Sequence, residues 1–185
     1  MIKEILVYPN PILRQKSEDV KDFDENLHRL LDDMNDTMMN RGGVGLAAVQ
    51  IGILQNVLII NIPIDDYENI ENEDGLQLKE NLIEAINPKI THKDGTQVFN
   101  EGCLSIPGVY EEISRAKHVV VEYFNRFGEK QTIEAEDFLA VAWQHEMEHL
   151  TGHVFIENLS FMKRKKFEKE WKKEQKEKKK KSSRL

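Results

Sequence analysis

Phe23, Leu27, Leu30, Leu31, Met34 and Met38 recur every three or four positions, the period of one helix face. The spacing predicts an amphipathic helix that starts with Asp22 and Glu25 and runs to about Asn40. Its Met and Leu stripe reads as core, because burying one such face is how a helix joins a domain. Before it, Tyr8-Pro9-Asn10-Pro11 excludes helix. After it, Asn56 to Ile62 is a run of branched residues that predicts a buried strand, ended by Pro63. Residues 64–81 are acidic and polar and read as a long surface excursion. Extended structure resumes over Leu82 to Ile86 and Pro88 to Ile90, with His92-Lys93-Asp94-Gly95 as a turn. His118 to Phe124 reads as a strand, Asn125-Arg126-Phe127-Gly128 as a turn, and Lys130 to Ala135 as the strand that pairs back. Phe138 to Trp143 is apolar all round, which predicts a buried helix over 137–150 ended by Thr151-Gly152. Ser160 can cap a last helix that passes Phe167 and Trp171 into a lysine-rich, fraying end.

A chain of 185 residues suits one domain with a substantial core. No apolar run approaches the ~20 residues of a membrane span. The opening residues Met1 to Ile5 lack a basic-then-apolar leader pattern. The single Cys excludes an internal disulfide and fits a reducing compartment, so a cytoplasmic protein with no membrane contact is expected. The net charge of −7 conceals a division: 163–185 holds 13 basic and 4 acidic residues, and the remainder is strongly acidic. That division predicts a single catalytic domain over 1–162 and a basic helical extension over 163–185, an interaction tail rather than a second domain. There are no internal repeats.

The chemistry begins in the buried helix, which carries Gln144-His145-Glu146-Met147-Glu148-His149-Leu150. His145 and His149 lie four apart, so one helix face can aim both imidazoles at one point with Glu146 beside it. Two neutral ligands and an adjacent base are what a hydrolytic metal site needs. A polar exposed helix is the bland alternative. The apolar residues just before the motif weigh against it, since burying His, Glu, Glu and His to no purpose would cost several kcal/mol. Upstream, Arg41 to Gly52 holds three glycines in four residues, a turn or a close backbone approach. A phosphate loop fails there, lacking both the Gly-Lys-Ser/Thr ending and a preceding strand. His92 has no partner at ligand spacing and reads as a surface residue; His118 reads as structural.

Two histidines do not hold a catalytic metal, and three protein ligands plus water is the usual arrangement. A metzincin frame would need histidine where Phe155 stands, and His153 is two residues out of register. A thermolysin-like frame needs a glutamate on a later helix; Glu157 is too close and Glu168 sits in a basic run. The remaining candidate is Cys103, in an apolar and glycine-rich setting.

Gly43-Val44-Gly45-Leu46-Ala47-Ala48-Val49-Gln50, Glu101-Gly102-Cys103-Leu104-Ser105 and Gln144-His145-Glu146-x-x-His149 resemble, in order and spacing, the three signature motifs of peptide deformylase. The resemblance covers nearly the whole chain. It implies an α+β fold: antiparallel strands around a central helix bearing the His-Glu-x-x-His motif, plus a C-terminal helix. It implies that Cys103, His145 and His149 hold one divalent metal ion with water completing the site. That ion would be Fe²⁺ in the cell, with Zn²⁺, Ni²⁺ or Co²⁺ able to replace it. The implied substrates are N-formylmethionyl peptides, which lose formate. Glu146 would move the proton, while the Gln50 side chain and the Leu104 N–H would stabilise the oxyanion. Gly45 would bind the peptide as an added strand. Val44, Tyr110, Val141 and Ala142 would line the methionine pocket. Glu101 with Arg115 resembles a family ion pair that braces the Cys loop, and the C-terminal helix would contact the ribosome.

Two features depart from the family. Glu148 stands where aspartate is usual, which bears on helix packing, and the 64–81 excursion is longer than in compact members. Two other readings compete. A zincin-like metallopeptidase would cleave internal peptide bonds without needing Cys103. A nucleic-acid-binding protein with a structural metal would need a fourth protein ligand, and none is evident in the sequence.

Overall fold

The computed structural model describes residues 1–63 and 77–182. Its described elements are α1 (Glu25–Asn40), β1 (Gly45–Ala47), β2 (Val57–Ile60), β3 (Ile83–Asp94), β4 (Gln97–Cys103), β5 (Ile106–Arg115), β6 (His118–Phe124), β7 (Lys130–Glu136), α2 (Asp137–Leu150) and α3 (Phe161–Ser182). Five strands form an antiparallel sheet in the order β1-β2-β3-β6-β7, and β4 pairs with β5 in a separate hairpin. Mixed helix and antiparallel sheet around a central helix is the architecture that the resemblance implied.

β2 shows why the sheet sits between two helices. All four residues of Val57-Leu58-Ile59-Ile60 are fully buried. Side chains alternate between sheet faces, so Val57 and Ile59 enter one core and Leu58 and Ile60 the other. The first core is closed by Leu27, Leu30, Leu31, Met34 and Met38 of α1. The second is closed by Ala140, Ala142, Trp143 and Leu150 of α2, with Val119, Val121 and Ala135 from β6 and β7. Covering both faces is what makes the strand read as an unbroken apolar run.

Several boundaries differ from the sequence reading: β2 covers Val57–Ile60 rather than Asn56 to Ile62, and the others differ for local reasons. α1 is capped by Asp24, not Asp22: its carboxylate accepts from the Asn26 and Leu27 amides at 3.0 and 3.1 Å. Phe23 therefore precedes the helix and packs edge-on against Phe124 at 5.9 Å. β3 is one strand rather than two pieces and a turn. It accommodates Pro88 through a bulge at Asn87, where φ is +51° and the register with β6 slips. The Asn87 amide stabilises the bulge by exchanging two hydrogen bonds, each 2.9 Å, with the Val20 backbone. β3 then runs on through His92 to Asp94, and Gly95, at φ +65°, makes the turn. His92 is exposed, as expected, but it is a strand residue with its Nε2 2.7 Å from Asp94. Most of the acidic excursion, 64–76, lies outside the described residues; its end, Lys79–Asn81, is one 3₁₀ turn.

The last helix begins as expected, with the Lys163 amide 3.4 Å from the Ser160 hydroxyl. Its first half is seated in a third core. Phe167 and Trp171 are buried with Tyr8, Leu13, Ile113 and Phe155, and the Trp171 indole N–H donates to the Tyr8 carbonyl at 3.0 Å. No helix among the described residues is long and apolar enough to cross a membrane.

Candidate active site

Three segments far apart in sequence meet at one end of the buried helix. α2 presents His145 and His149 one turn apart, ring centroids 5.1 Å from each other. β4 ends at Cys103, and Leu104-Ser105 turns the chain into β5 across a register slip after Gly102. That slip brings the Cys103 Sγ to 3.3 Å from the His149 Nε2. One donor atom from each of Cys103, His145 and His149 lies within 4.8 Å of the others. Tetrahedral bonds of ~2.3 Å to sulfur and ~2.0–2.1 Å to nitrogen place S and N ligands roughly 3.5 Å apart. The spacing therefore fits an ion, and the soft thiolate with two imidazoles suits a divalent first-row metal.

The rival third ligands point elsewhere. His153 pairs with Glu157 at 3.0 Å and faces Asn158. Glu157 also pairs with Arg14 and Arg164, and Glu168 with Arg164.

The three candidate ligands are held by a buried chain of charges. The His145 Nδ1 is 2.8 Å from a Glu101 carboxylate oxygen, which leaves the Nε2 for a metal. Both Glu101 oxygens accept from Arg115, at 2.6 and 2.9 Å. Arg115 also donates to both oxygens of Glu148, at 2.6 and 3.1 Å, and Glu148 in turn accepts from Asn158. Burial alone would raise the Glu101 carboxyl, but His145 and Arg115 outweigh it and hold it below its ordinary range. Burial likewise opposes the Arg115 charge, and Glu101 with Glu148 overcome it. His145 is raised well above its ordinary value, because Cys103 and Glu101 outweigh burial. His149 is held well below by burial and by His145. A cation at this point would replace the His145 proton and gain from the same carboxylate.

Glu146 is buried in the same wall. Burial pushes its carboxyl up to about 7, and its Oε2 has no hydrogen-bond partner within the protein. A buried orphan oxygen in the same wall as three candidate ligand atoms is what a bound reactant would explain. β1 crosses directly over it. A Cβ added at Gly45 would stand 2.8 Å from the Glu146 Cδ and closer still to its Oε1, so a side chain there would displace the Glu146 carboxylate. Gln50 is fixed at both ends of its amide. Its Oε1 accepts from the Ala47 N–H at 2.8 Å, and its Nε2 lies 3.1 Å from the Ser105 hydroxyl and 3.6 Å from the Cys103 Sγ.

A cleft of about 580 Å³ opens over this wall. It is lined by Val44, Gly45, Gln50, Cys103, Leu104, Tyr110, Val141, Ala142, His145 and Glu146. His149 is buried behind it. Val141 and Ala142 are deep in the cleft, whereas Tyr110 is 67% exposed at its rim. The sequence reading missed several contributors. Phe99 and Phe138, stacked at 4.9 Å, form one side of the cleft. Gln77 donates to the carbonyls of Gly43 and Asn61, at 2.9 and 2.6 Å, and so holds the lead-in to β1. Ser105 offered a signal, being the polar residue two beyond the cysteine; Phe99 and Gln77 offered none.

Comparison with known proteins agrees with this geometry. A family model described as polypeptide deformylase matches residues 2–165. The chain belongs to the peptide deformylase family. It is 52% identical to the peptide deformylase of Wolinella succinogenes over 171 residues, covering 92% of this chain and 96% of that protein. Identity to the Nautilia profundicola peptide deformylase is 49% over 172 residues, covering 93% and 94%. The crystal structure of a Legionella pneumophila peptide deformylase superposes with a TM-score of 0.80 at 36% identity, covering 95% of this chain and 96% of that one. The chain is thus a metal-dependent hydrolase that removes the formyl group from N-terminal formylmethionine, not a peptidase of internal bonds.

Glu101 hydrogen-bonds a candidate ligand, His145, and such a partner of a metal-bound histidine is typically worth ~10–100-fold in metal affinity. Glu101→Gln is expected to weaken metal binding by about that factor while the folded protein persists, as read by competition with a chelator. Unchanged metal affinity would remove Glu101 from the support of His145.

Proposed function

We propose that Cys103, His145 and His149 hold the single divalent ion of this deformylase, and that Glu146, Gln50 and Leu104 carry out the reaction around it. The observation behind this reading is the convergence of the three donor atoms beside a buried, partnerless carboxylate oxygen. The ion supplies Lewis-acid polarisation and an acidified water when bound. Glu146 accepts a proton from the attacking water as its oxygen bonds to the formyl carbon. The Gln50 Nε2–H and the Leu104 backbone N–H donate to the oxygen on which negative charge develops. Glu146 returns the proton to the amine nitrogen as the C–N bond breaks, and formate leaves. Burial raises this carboxyl, which favours its taking up the proton it then returns to the amine.

The peptide backbone pairs with the strand edge at Gly45, and Val44, Val141 and Ala142, with Tyr110 at the rim, receive the methionine side chain. We assign Fe²⁺ as the metal in the cell, with Zn²⁺, Ni²⁺ and Co²⁺ as competent substitutes, and a cytoplasmic location beside translating ribosomes. Residues 1–162 form the catalytic unit in this reading, and 163–185 form a basic extension that contacts ribosomal RNA. A solved Ehrlichia chaffeensis peptide deformylase holds actinonin, which makes that compound a suitable active-site probe here.

Glu146→Gln keeps the side chain's shape and removes the proton carrier. It is expected to retain metal and lower formate release from formyl-Met-Ala by about 10²–10⁴-fold. Near-normal release from the metal-loaded variant would contradict the assignment. For the tail, Phe167 and Trp171 must stay, since they are core. Replacing the exposed Lys169, Lys172, Lys173 and Lys176 with Gln should weaken salt-sensitive co-sedimentation with ribosomes and spare hydrolysis of short peptides. Equal co-sedimentation of both forms at low salt would count against the ribosome contact.

A further inference from the structure

A second group of ligating side chains stands on the five-stranded sheet. His92 and Asp94 are two apart on β3 and so share a face. His118 opens β6 directly opposite Asp94 in the ladder. The Asp94 Oδ2 lies 2.7 Å from the His92 Nε2 and 3.1 Å from the His118 Nδ1. One donor atom from each residue lies within 4.8 Å of the others. The surroundings are acidic: Glu134 of β7 reaches within 3.9 Å of the His118 Nε2, and Glu136 is the cross-strand partner of His118. We propose that His92, Asp94 and His118 form a second divalent-metal site, selective for ions of the zinc class.

The chemistry of the donors selects the ion. Two imidazoles and one carboxylate suit Zn²⁺, Ni²⁺ or Cu²⁺, whereas Mg²⁺ and Ca²⁺ require oxygen shells. Bonds of ~2.0–2.2 Å in tetrahedral geometry set N and O ligands roughly 3.4 Å apart. The Asp94 contacts, at 2.7 and 3.1 Å, are shorter than that spacing, and the 4.8 Å limit on the whole set spans it, so side-chain adjustment would set the three donors around an ion. The side chains are solvent-accessible, so water completes the shell and the ion enters directly.

The location gives the ion a role. The chain passes between the two sheets twice at this point, from β3 to β4 through Gly95 and from β5 to β6 through Ala116-Lys117. The Lys117 amide donates to the Asp94 carbonyl at 3.1 Å, and Ala116 exchanges hydrogen bonds with Gln144 of the central helix. An ion held by β3 and β6 pins both crossings beside the helix that carries the catalytic histidines.

The test uses holoprotein already loaded with one equivalent of metal, titrated with Zn²⁺ by calorimetry and by equilibrium dialysis with metal analysis. Wild type is expected to take up a second equivalent at micromolar Zn²⁺, with a rise in Tm. His92→Ala and Asp94→Asn, each made separately, are expected to lose that uptake and that rise while releasing formate at the wild-type rate. His92 is exposed and its replacement leaves the core intact, and far-UV circular dichroism checks that both variants are folded. No second equivalent in wild type, or the same second equivalent in both folded variants, would overturn the proposal. The comparison reads the difference between proteins that share the first site, so it does not depend on which residues hold the first ion.

Discussion

Arg115 is buried between two carboxylates, and the catalytic half of the molecule is assembled around that arrangement. Taking each ion out of water costs several kcal/mol, and the cost is recovered only when the geometry is good on every side. Here it is: Arg115 makes two hydrogen bonds to Glu101 and two to Glu148. Each contact joins a different element. Glu101 belongs to β4, Arg115 to β5, Glu148 to α2, and Asn158 to the turn before α3. The hairpin is thereby fixed against the central helix, which sets Cys103 beside His149 and orients the His145 ring through Glu101. Glu148 gains its meaning in this setting. Its side chain spans from the helix to Arg115 and to Asn158.

The same wall contains groups that a packed core would normally reject. Glu146 is buried without a partner for one oxygen, and the β1 backbone passes so close that a side chain at position 45 would push the Glu146 carboxylate aside. A carboxyl in that position resists ionisation and takes a proton readily, which is useful only where a reactant brings one. The sheet and its two helices supply the rigidity that holds these groups in place. β2, buried on both faces, anchors β1 through a three-residue ladder, and Gln77 grips the lead-in to β1 from the other side.

Much of this was legible in the sequence, and the reasons differ from element to element. α1, α2 and β2 announce themselves because their burial is decided by their own side-chain period. The His-Glu-x-x-His pair is legible for the same reason, since one helix face brings both rings together. The hairpin of β4 and β5 is not. Its residues Gln97 to Cys103 are largely polar or glycine, and pairing with β5 and the Arg115 contacts, rather than a local apolar pattern, hold it. Asn87 and Gly95 explain the misplaced turn: a bulge kept β3 intact through a proline, and a single left-handed glycine did the work assigned to four residues. His92 looked solitary because the His118 ring, 5.9 Å away, comes from β6, where it stands opposite Asp94 in the ladder. Phe99, Phe138 and Gln77 reach the cleft through tertiary contacts with no local signature.

The central claim is that one thiolate and two imidazoles from distant segments hold the catalytic ion. X-ray absorption at the metal edge of anaerobically purified protein, carrying one equivalent of metal, reads that shell directly. The account predicts one sulfur scatterer at ~2.3 Å and two imidazole nitrogens at ~2.0–2.1 Å, with a light-atom ligand completing the shell. A shell of nitrogen and oxygen alone, with no sulfur contribution, would contradict it.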